Sequence, residues 1–315
     1  IAFMVPALRS LSIAFLVFSV DGLPMGDPDV FDSQESCVVV HHFGDPQIGF
    51  GLTGWKDDVA RFRMAAQFSR TNGTNFVAIA GDLVNIWNNL TEISGFTSVF
   101  PSDFSAPVAK IPGNHDVNSL SPDMLTQLTH YKSLFGADHG EFTATAKTGD
   151  EAVSIIAIDS EVLISNWANA SSLRTSYWEN LEAALARAYK DKKHILLLSH
   201  HPPFIKNETE PDVYWNWPSA PRMKLLQLLK HYNVKHVLAG HTHTTTEVTS
   251  DDGNLTVYTV AGTARFALFT YRGHRCRAFD SNGFGVRVFT FCPSNFQTEY
   301  VKLVSSEPSA IPWNI

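Results

Sequence analysis

The chain has 315 residues, 44% of them hydrophobic and 17% charged, with a formal net charge of −7. That length holds one large domain or two ordinary ones, and the composition is that of a folded protein. No block of Lys or Arg stands out, so the charge pattern excludes electrostatic capture of a nucleic-acid polymer or an anionic membrane.

Taken in order, residues 1–22 differ from the rest. Arg9 precedes an apolar run over 11–20, followed by Asp21 and Gly22. A short apolar run after a basic residue fits a secretory signal, whereas a stable membrane span needs about twenty apolar residues. Residues 1–22 are therefore expected to be a signal peptide, with secretion or the endomembrane lumen as destination and no stable membrane span. A buried N-terminal strand or helix is the competing reading. Residues 23–36 form a polar, acidic lead-in, 37–304 the folded domain, and 305–315 an irregular Pro-containing tail. Asn-x-Ser/Thr acceptors at Asn72, Asn89, Asn169, Asn207 and Asn254 agree with secretion and are glycosylation candidates. Cys276 and Cys292 are a candidate disulfide that leaves Cys37 odd; three buried thiols are the alternative.

Within 37–304, apolar runs at 38–40, 76–80, 195–198 and 234–239 read as buried strands. A capping box, Ser176 to Glu179, opens a helix with Trp178, Leu181, Leu185 and Ala188 on one face. Ser219 caps another, with Pro221 in its first turn and Leu225, Leu229 and Tyr232 in a stripe. A third runs over 55–68 through Val59 and Phe62. Beyond His243 the segments 255–263, 284–292 and 298–303 are β-rich without intervening helices. A βαβ-like part followed by a β-meander predicts an α/β fold: two mixed sheets packed face to face and flanked by helices, a four-layer αββα sandwich.

Four short motifs carry the chemistry: Gly44-Asp45-Pro46-Gln47, Gly81-Asp82, Gly113-Asn114-His115-Asp116 and Gly240-His241-Thr242-His243, with His200-His201-Pro202 after the apolar run 195–198. Polar residues at the ends of several buried strands converge on one sheet edge, where open α/β sheets bind ligands. Carboxylates, an amide and imidazoles gathered there can bind metal ions, and a two-metal hydrolytic site is the reading they support. If the substrate is an anion, the metals must attract it, because the protein is acidic overall.

The ordered set Asp-x-Gln, Gly-Asp, Gly-Asn-His-Asp, His and Gly-His-x-His resembles the calcineurin-like metallophosphoesterase superfamily over residues 38–243. The resemblance implies that Asp45, Gln47 and His243 hold one metal and Asn114, His200 and His241 the other, with Asp82 bridging. It implies His115 as the general acid near the leaving group and Asp116 orienting it. His200 is the ligand because the family places it two residues before a proline; His201 is then a supporting neighbour. Chemistry agrees, since one carboxylate has two oxygens to share between ions about 3.5–4 Å apart. The implied cofactors are two divalent transition-metal ions, or one trivalent and one divalent, drawn from Mn, Fe or Zn. A metal-bridging hydroxide would attack phosphorus while His115 protonates the departing oxygen.

Gln47 stands where many members have His, and Asn85 stands where purple acid phosphatases have their tyrosine. The Asp-Pro-Gln signature looks most like the calcineurin-like phosphoesterase-domain protein phosphatases. The implied function is phosphomonoester hydrolysis on a small molecule or a phosphoprotein. The alternatives are a nucleotide pyrophosphatase or phosphodiesterase of ADP-ribose type and a non-catalytic, metal-binding secreted protein. Tyr214, Trp215 and Trp217, on the loop that begins beside His200, either wall the substrate cleft or anchor the loop by packing.

Overall fold

The computed structural model describes residues 36–303 except 52, 150, 192, 263–266, 272–273 and 279–282, with backbone only for 267–271 and 274–278. The expected signal peptide, nearly all of the lead-in, the tail, and the side chain of Cys276 lie outside the described residues.

The described residues form thirteen strands and six α-helices: β1 (Val38–Phe43), α1 (Trp55–Thr71), β2 (Phe76–Ile79), α2 (Leu90–Thr97), β3 (Val108–Lys110), α3 (Met124–Phe135), β4 (Gly140–Thr145), β5 (Ala152–Ala157), α4 (Ser160–Ile164), α5 (Ser171–Lys190), β6 (His194–Leu198), α6 (Ser219–His231), β7 (His236–Ala239), β8 (Thr246–Thr249), β9 (Thr256–Thr259), β10 (Ala267–Tyr271), β11 (His274–Ala278), β12 (Gly285–Phe291) and β13 (Phe296–Lys302). One sheet has the order β13-β12-β1-β2-β3, the other β4-β5-β6-β7-β9-β8, and β10-β11 form a separate hairpin. The strands β1-β2-β3 and β5-β6-β7-β9 pair in parallel, while β12, β13, β4 and β8 pair antiparallel. Both sheets are mixed, as the sequence pattern predicts.

The period of two in each strand sorts its side chains into two layers. Val38, Val40, Phe76, Ala78, Leu196, Leu198, Phe289 and Phe291 belong to a cluster of strand and strand-end residues from both sheets. The alternate residues Val77, Ile79, Ile195 and Leu197 join the helices, among them Phe62, Leu181, Leu185, Leu225 and Leu229. Hence the strands read as continuous apolar runs, because both faces are covered.

Two local expectations fail for identifiable reasons. The helix α5 begins at Ser171, directly after a 3₁₀ turn over Ala168–Ala170, so Ser176 and Glu179 lie inside it and cap nothing. Ser219 is the first residue of α6 and not its cap; Asp212 Oδ1 accepts from Ser219 N at 2.8 Å and serves that end from outside. The disulfide also differs: Cys37 pairs with Cys292, across 255 residues of chain. Register explains this, since Val38 opposes Phe291 in the β1–β12 ladder and the next residues outward are the two cysteines. No helix among the described residues is long and apolar enough to cross a membrane.

Candidate metal centre

The motif residues follow the C-terminal ends of β1, β2 and β3 in one sheet and of β6 and β7 in the other. Among the described residues, six non-glycine positions have left-handed φ: Asp45 (43°), Gln47 (36°), Asp82 (49°), Asn233 (55°), His241 (65°) and His243 (52°). Five of the six belong to the motifs. Such backbone costs on the order of 1–3 kcal/mol per residue and persists only where surrounding contacts dictate it.

Those contacts are short, and two of them cross between the sheets. The Asp45 carboxylate accepts from His241 N at 2.9 and 3.0 Å, joining the β1 loop to the β7 loop. His200 Nδ1 donates to Ala80 O at 2.7 Å, joining the β6 loop to the end of β2. Asp82 Oδ1 accepts from His115 N at 2.9 Å, and Gln47 N donates to Asp82 O at 2.6 Å. Glycine permits this density: a Cβ on Gly113 would lie 2.2 Å from Asp82 Oδ1, and one on Gly240 would lie 2.7 Å from Asp45 Oδ2.

The side chains meet as acceptors facing acceptors. Because Ala80 O takes the Nδ1 proton, a neutral His200 presents a bare Nε2. That nitrogen lies 3.1 Å from Asn114 Oδ1 and 3.5 Å from Asp82 Oδ1. Asn114 is turned this way by its Nδ2, which donates to Tyr214 Oη at 3.2 Å. His241 Nε2 donates to Tyr214 O at 2.9 Å, which leaves its Nδ1 bare. On the other side His243 Nε2 lies 3.7 Å from Asp45 Oδ1, and the buried Gln47 Oε1 accepts no hydrogen bond. Burial holds the imidazoles of His200 and His241 below their ordinary pKa and brings that of His243 to about 4, so they are neutral, the ligating form. Burial, followed by the charge on Asp82, pushes the Asp45 carboxyl well above the usual carboxylate range. Lone pairs and negative charge converging out of water are costly unless a cation neutralises them. Two ligand groups stand out: Asp45, Asp82 and His200, and His200, His201 and His241, the ligand atoms of each group lying within 4.8 Å of one another. The donor set therefore fits metal ions.

His115 stands half-buried at the rim, with Nδ1 donating to Asn85 O at 2.9 Å. Asp116, expected to orient it, makes its hydrogen bonds elsewhere. The Asp116 carboxylate accepts from Leu83 N (2.9 Å), Val84 N (3.2 Å) and Gly113 N (2.9 Å), tying the β2 and β3 loops together. Trp217 is not a cleft residue either: it is fully buried, packs edge-on against Trp178 and donates Nε1 to His201 O at 2.9 Å. Tyr214 and Trp215 do border the site, their rings 4.7 and 5.4 Å from that of His241.

Two residues have no sequence signal of their own. Glu161, at the start of α4, lies with Oε1 2.7 Å from His201 Nδ1, and the His201 ring lies 3.9 Å from that of His241. Phe50 places its ring 5.4 Å from His243 and 6.0 Å from His115. Its position three residues after Gln47 was the one available hint.

The family described as calcineurin-like phosphoesterase matches residues 38–245. Serine/threonine-protein phosphatase CPPED1 of Danio rerio is 25% identical over 219 residues, 63% of this chain and 68% of that one. GAP50, the anchor in the inner membrane complex of Plasmodium, superposes with a TM-score of 0.62 at 18% identity over 86% of each chain. A dimetal phosphatase from Danio rerio gives 0.57 at 14% identity, covering 85% of this chain and 96% of that one. Purple acid phosphatase PPD1 from yellow lupin (Lupinus luteus) seeds gives 0.56 at 17%, covering 86% and 52%. At these identities the structural likenesses speak for the fold alone. The family match spans more than half of the sequence and takes in every candidate ligand: this chain belongs to the calcineurin-like phosphoesterases and is a metallophosphoesterase.

Proposed function

We propose that the chain hydrolyses phosphoric monoesters with two transition-metal ions at this centre. The supporting observation is the convergence of acceptors out of water: His200 Nε2 lies 3.1 Å from Asn114 Oδ1 and 3.5 Å from Asp82 Oδ1, and the buried Gln47 Oε1 accepts no hydrogen bond. Asp45, Gln47 and His243 would hold one ion, Asn114, His200 and His241 the other, and Asp82 both. When bound, such ions supply Lewis acidity toward phosphoryl oxygens and lower the pKa of water to about 7.

The chain's own residues supply the rest. Asn85 O fixes the Nδ1 proton of His115, which leaves Nε2 to carry the proton given to the departing oxygen. Tyr214 aligns Asn114 through its hydroxyl and His241 through its carbonyl, so one residue sets the direction of two ligands. Phosphomonoesters are favoured by the similarity to CPPED1, and the substrate is a small molecule or a phosphoprotein. We further assign 37–304 to one domain and the protein to an oxidising compartment, where the Cys37–Cys292 bond persists. Of the sequons, Asn72, Asn169 and Asn254 are exposed, whereas Asn89 Nδ2 is engaged by the buried Glu92 at 2.7 Å.

The test is to offer p-nitrophenyl phosphate, its bis-ester and ADP-ribose side by side to the Mn²⁺-loaded protein. Faster turnover of the monoester is expected. Preference for either of the others would move the assignment to a phosphodiesterase or pyrophosphatase.

A further inference from the structure

Phe50 stands beside His115, the candidate general acid. Its ring sits between His115 and His243, edge-on to both at 65° interplanar angles. The loop that carries it is held from both sides. Gly49 N and Gly51 N donate to the same oxygen, Asp58 Oδ2, at 2.9 and 3.2 Å. Asp58 is itself fully buried and its other oxygen accepts from Arg61 Nη2 at 2.9 Å. Phe50 N donates to Gln47 O at 3.0 Å, so the aromatic residue and the candidate ligand move as one unit. Gly49 has φ 100° and a Cβ there would lie 2.4 Å from Glu92, so the loop has little room to shift. This is a great deal of anchoring for a half-buried Phe.

A fixed ring beside the proton donor bears on whatever the departing oxygen is attached to. An aryl group there packs against Phe50, while a short alkyl group leaves the ring largely wet. Aromatic pairs contribute about 0.5–1.5 kcal/mol beyond area burial, equivalent to roughly twofold to tenfold in rate when the contact is made in the transition state. We infer that Phe50 is a specificity-determining residue that favours aryl phosphates, whether free phenolic esters or tyrosyl side chains, over alkyl phosphates. The inference rests on the monoesterase reading above.

The experiment compares phenyl phosphate with ethyl phosphate, and a phosphotyrosyl with a phosphoseryl peptide of the same sequence, in wild type, Phe50→Leu and Phe50→Ala. All are loaded with Mn²⁺ and checked for metal content. The aryl-to-alkyl ratio of kcat/KM is expected to fall about threefold to tenfold in Phe50→Ala and by less in Phe50→Leu. Calorimetry with benzylphosphonate and ethylphosphonate gives a readout without turnover: the variants should lose the tighter binding of the benzyl compound. A response of the free aryl ester without the phosphotyrosyl peptide identifies small phenolic esters as the source, and a response of both admits protein substrates. Ratios that stay within twofold of wild type in both variants would overturn the assignment of Phe50 while leaving the monoesterase reading intact. A wild-type protein inert toward every monoester would overturn both.

Discussion

Asp82→Asn separates the observed hydrogen-bonding role of this carboxylate from the proposed metal-sharing one. Its side chain is buried, its Oδ1 accepts from His115 N at 2.9 Å, and its ligand atom lies within 4.8 Å of that of Asp45. The asparagine keeps an acceptor oxygen for His115 N and removes the charge. In metal-free protein two opposing effects follow. With ligand atoms within 4.8 Å of each other, two full charges would repel by at least about 3.5 kcal/mol at an effective dielectric of about 20; because the raised pKa of Asp45 lets it hold a proton instead, neutralising Asp82 relieves only part of that. The new amide N–H₂ enters a buried site and costs about 1–3 kcal/mol if it finds no partner. The metal-free variant is therefore expected within about 2 kcal/mol of wild type. Metal-loaded protein is different: ligand at a thousand times its Kd stabilises by about 4 kcal/mol, or about 8 °C in Tm for a domain of this size. The variant should lose most of that rise, and elemental analysis should find fewer than one ion per chain. The assay is thermal denaturation with and without Mn²⁺, beside a chelator control. A wild-type metal-induced shift in Asp82→Asn would refute the shared-ligand role, and a metal-free loss well beyond 2 kcal/mol would refute the charge-crowding argument.

The remaining predictions probe other parts of the framework. His115→Ala should slow kcat about a hundredfold or more with metal content unchanged, whereas Asp116→Ala should unfold more easily by about 3 kcal/mol or more, because three backbone N–H groups lose their acceptor; slow turnover at full stability in Asp116→Ala would return that residue to a catalytic role. Cys37→Ser should cost about 2–5 kcal/mol, and reductant should bring wild type to the same Tm; an unchanged Tm refutes the pairing. Burial opposes ionisation of Asp138, yet hydrogen bonds from His139 and Tyr177 and the charge of Lys132 outweigh it and hold the carboxyl below its ordinary pKa. Its contribution is thus complete above the unfolded value near 4 and is lost as pH falls through the lower folded value. Asp138→Asn should destabilise at pH 7 and lose less than wild type on acidification, as chemical denaturation at both pH values would register; parallel losses would contradict this sign.

What was legible in the sequence is what local order encodes. Each motif follows a short apolar run, and a run of that kind is a parallel strand covered on both faces, so Asp45, Asp82, Asn114, His200 and His241 could be sent to one sheet edge without knowing any contact. The same reasoning found α1 and α6, whose buried positions recur every three to four residues. It failed where the deciding partner is remote. The family resemblance implies Asp116 as the group orienting His115, but the imidazole takes its partner from Asn85 O, thirty residues back, and the carboxylate takes backbone N–H groups of a different loop. Cys292 was matched to the nearer cysteine, although the ladder brings it to Cys37. Trp217 and Trp215 are two apart on one loop, and only the indole N–H bond to His201 O and the Trp178 contact decide which of them turns inward.

The same cross-sheet contacts that build the site also bind the two halves of the fold. Asp45 belongs to one sheet and His241 to the other; Ala80 belongs to the first and His200 to the second. Between these sheets lies a cluster of Val, Ala, Leu and Phe whose attraction is non-directional. What fixes relative position at this edge is the polar lattice, in which Asp45 and His241 carry left-handed backbone that nothing local favours. Ions drawn to the convergent acceptors would act on both layers at once, adding attraction where the bare side chains repel. Occupancy and inter-sheet registration would then be coupled. Substitutions such as Gly240→Ala, which press a methyl group onto Asp45 Oδ2 and Ala80 O, should weaken metal affinity and global stability together, because each depends on the same approach of the β1 and β7 loops.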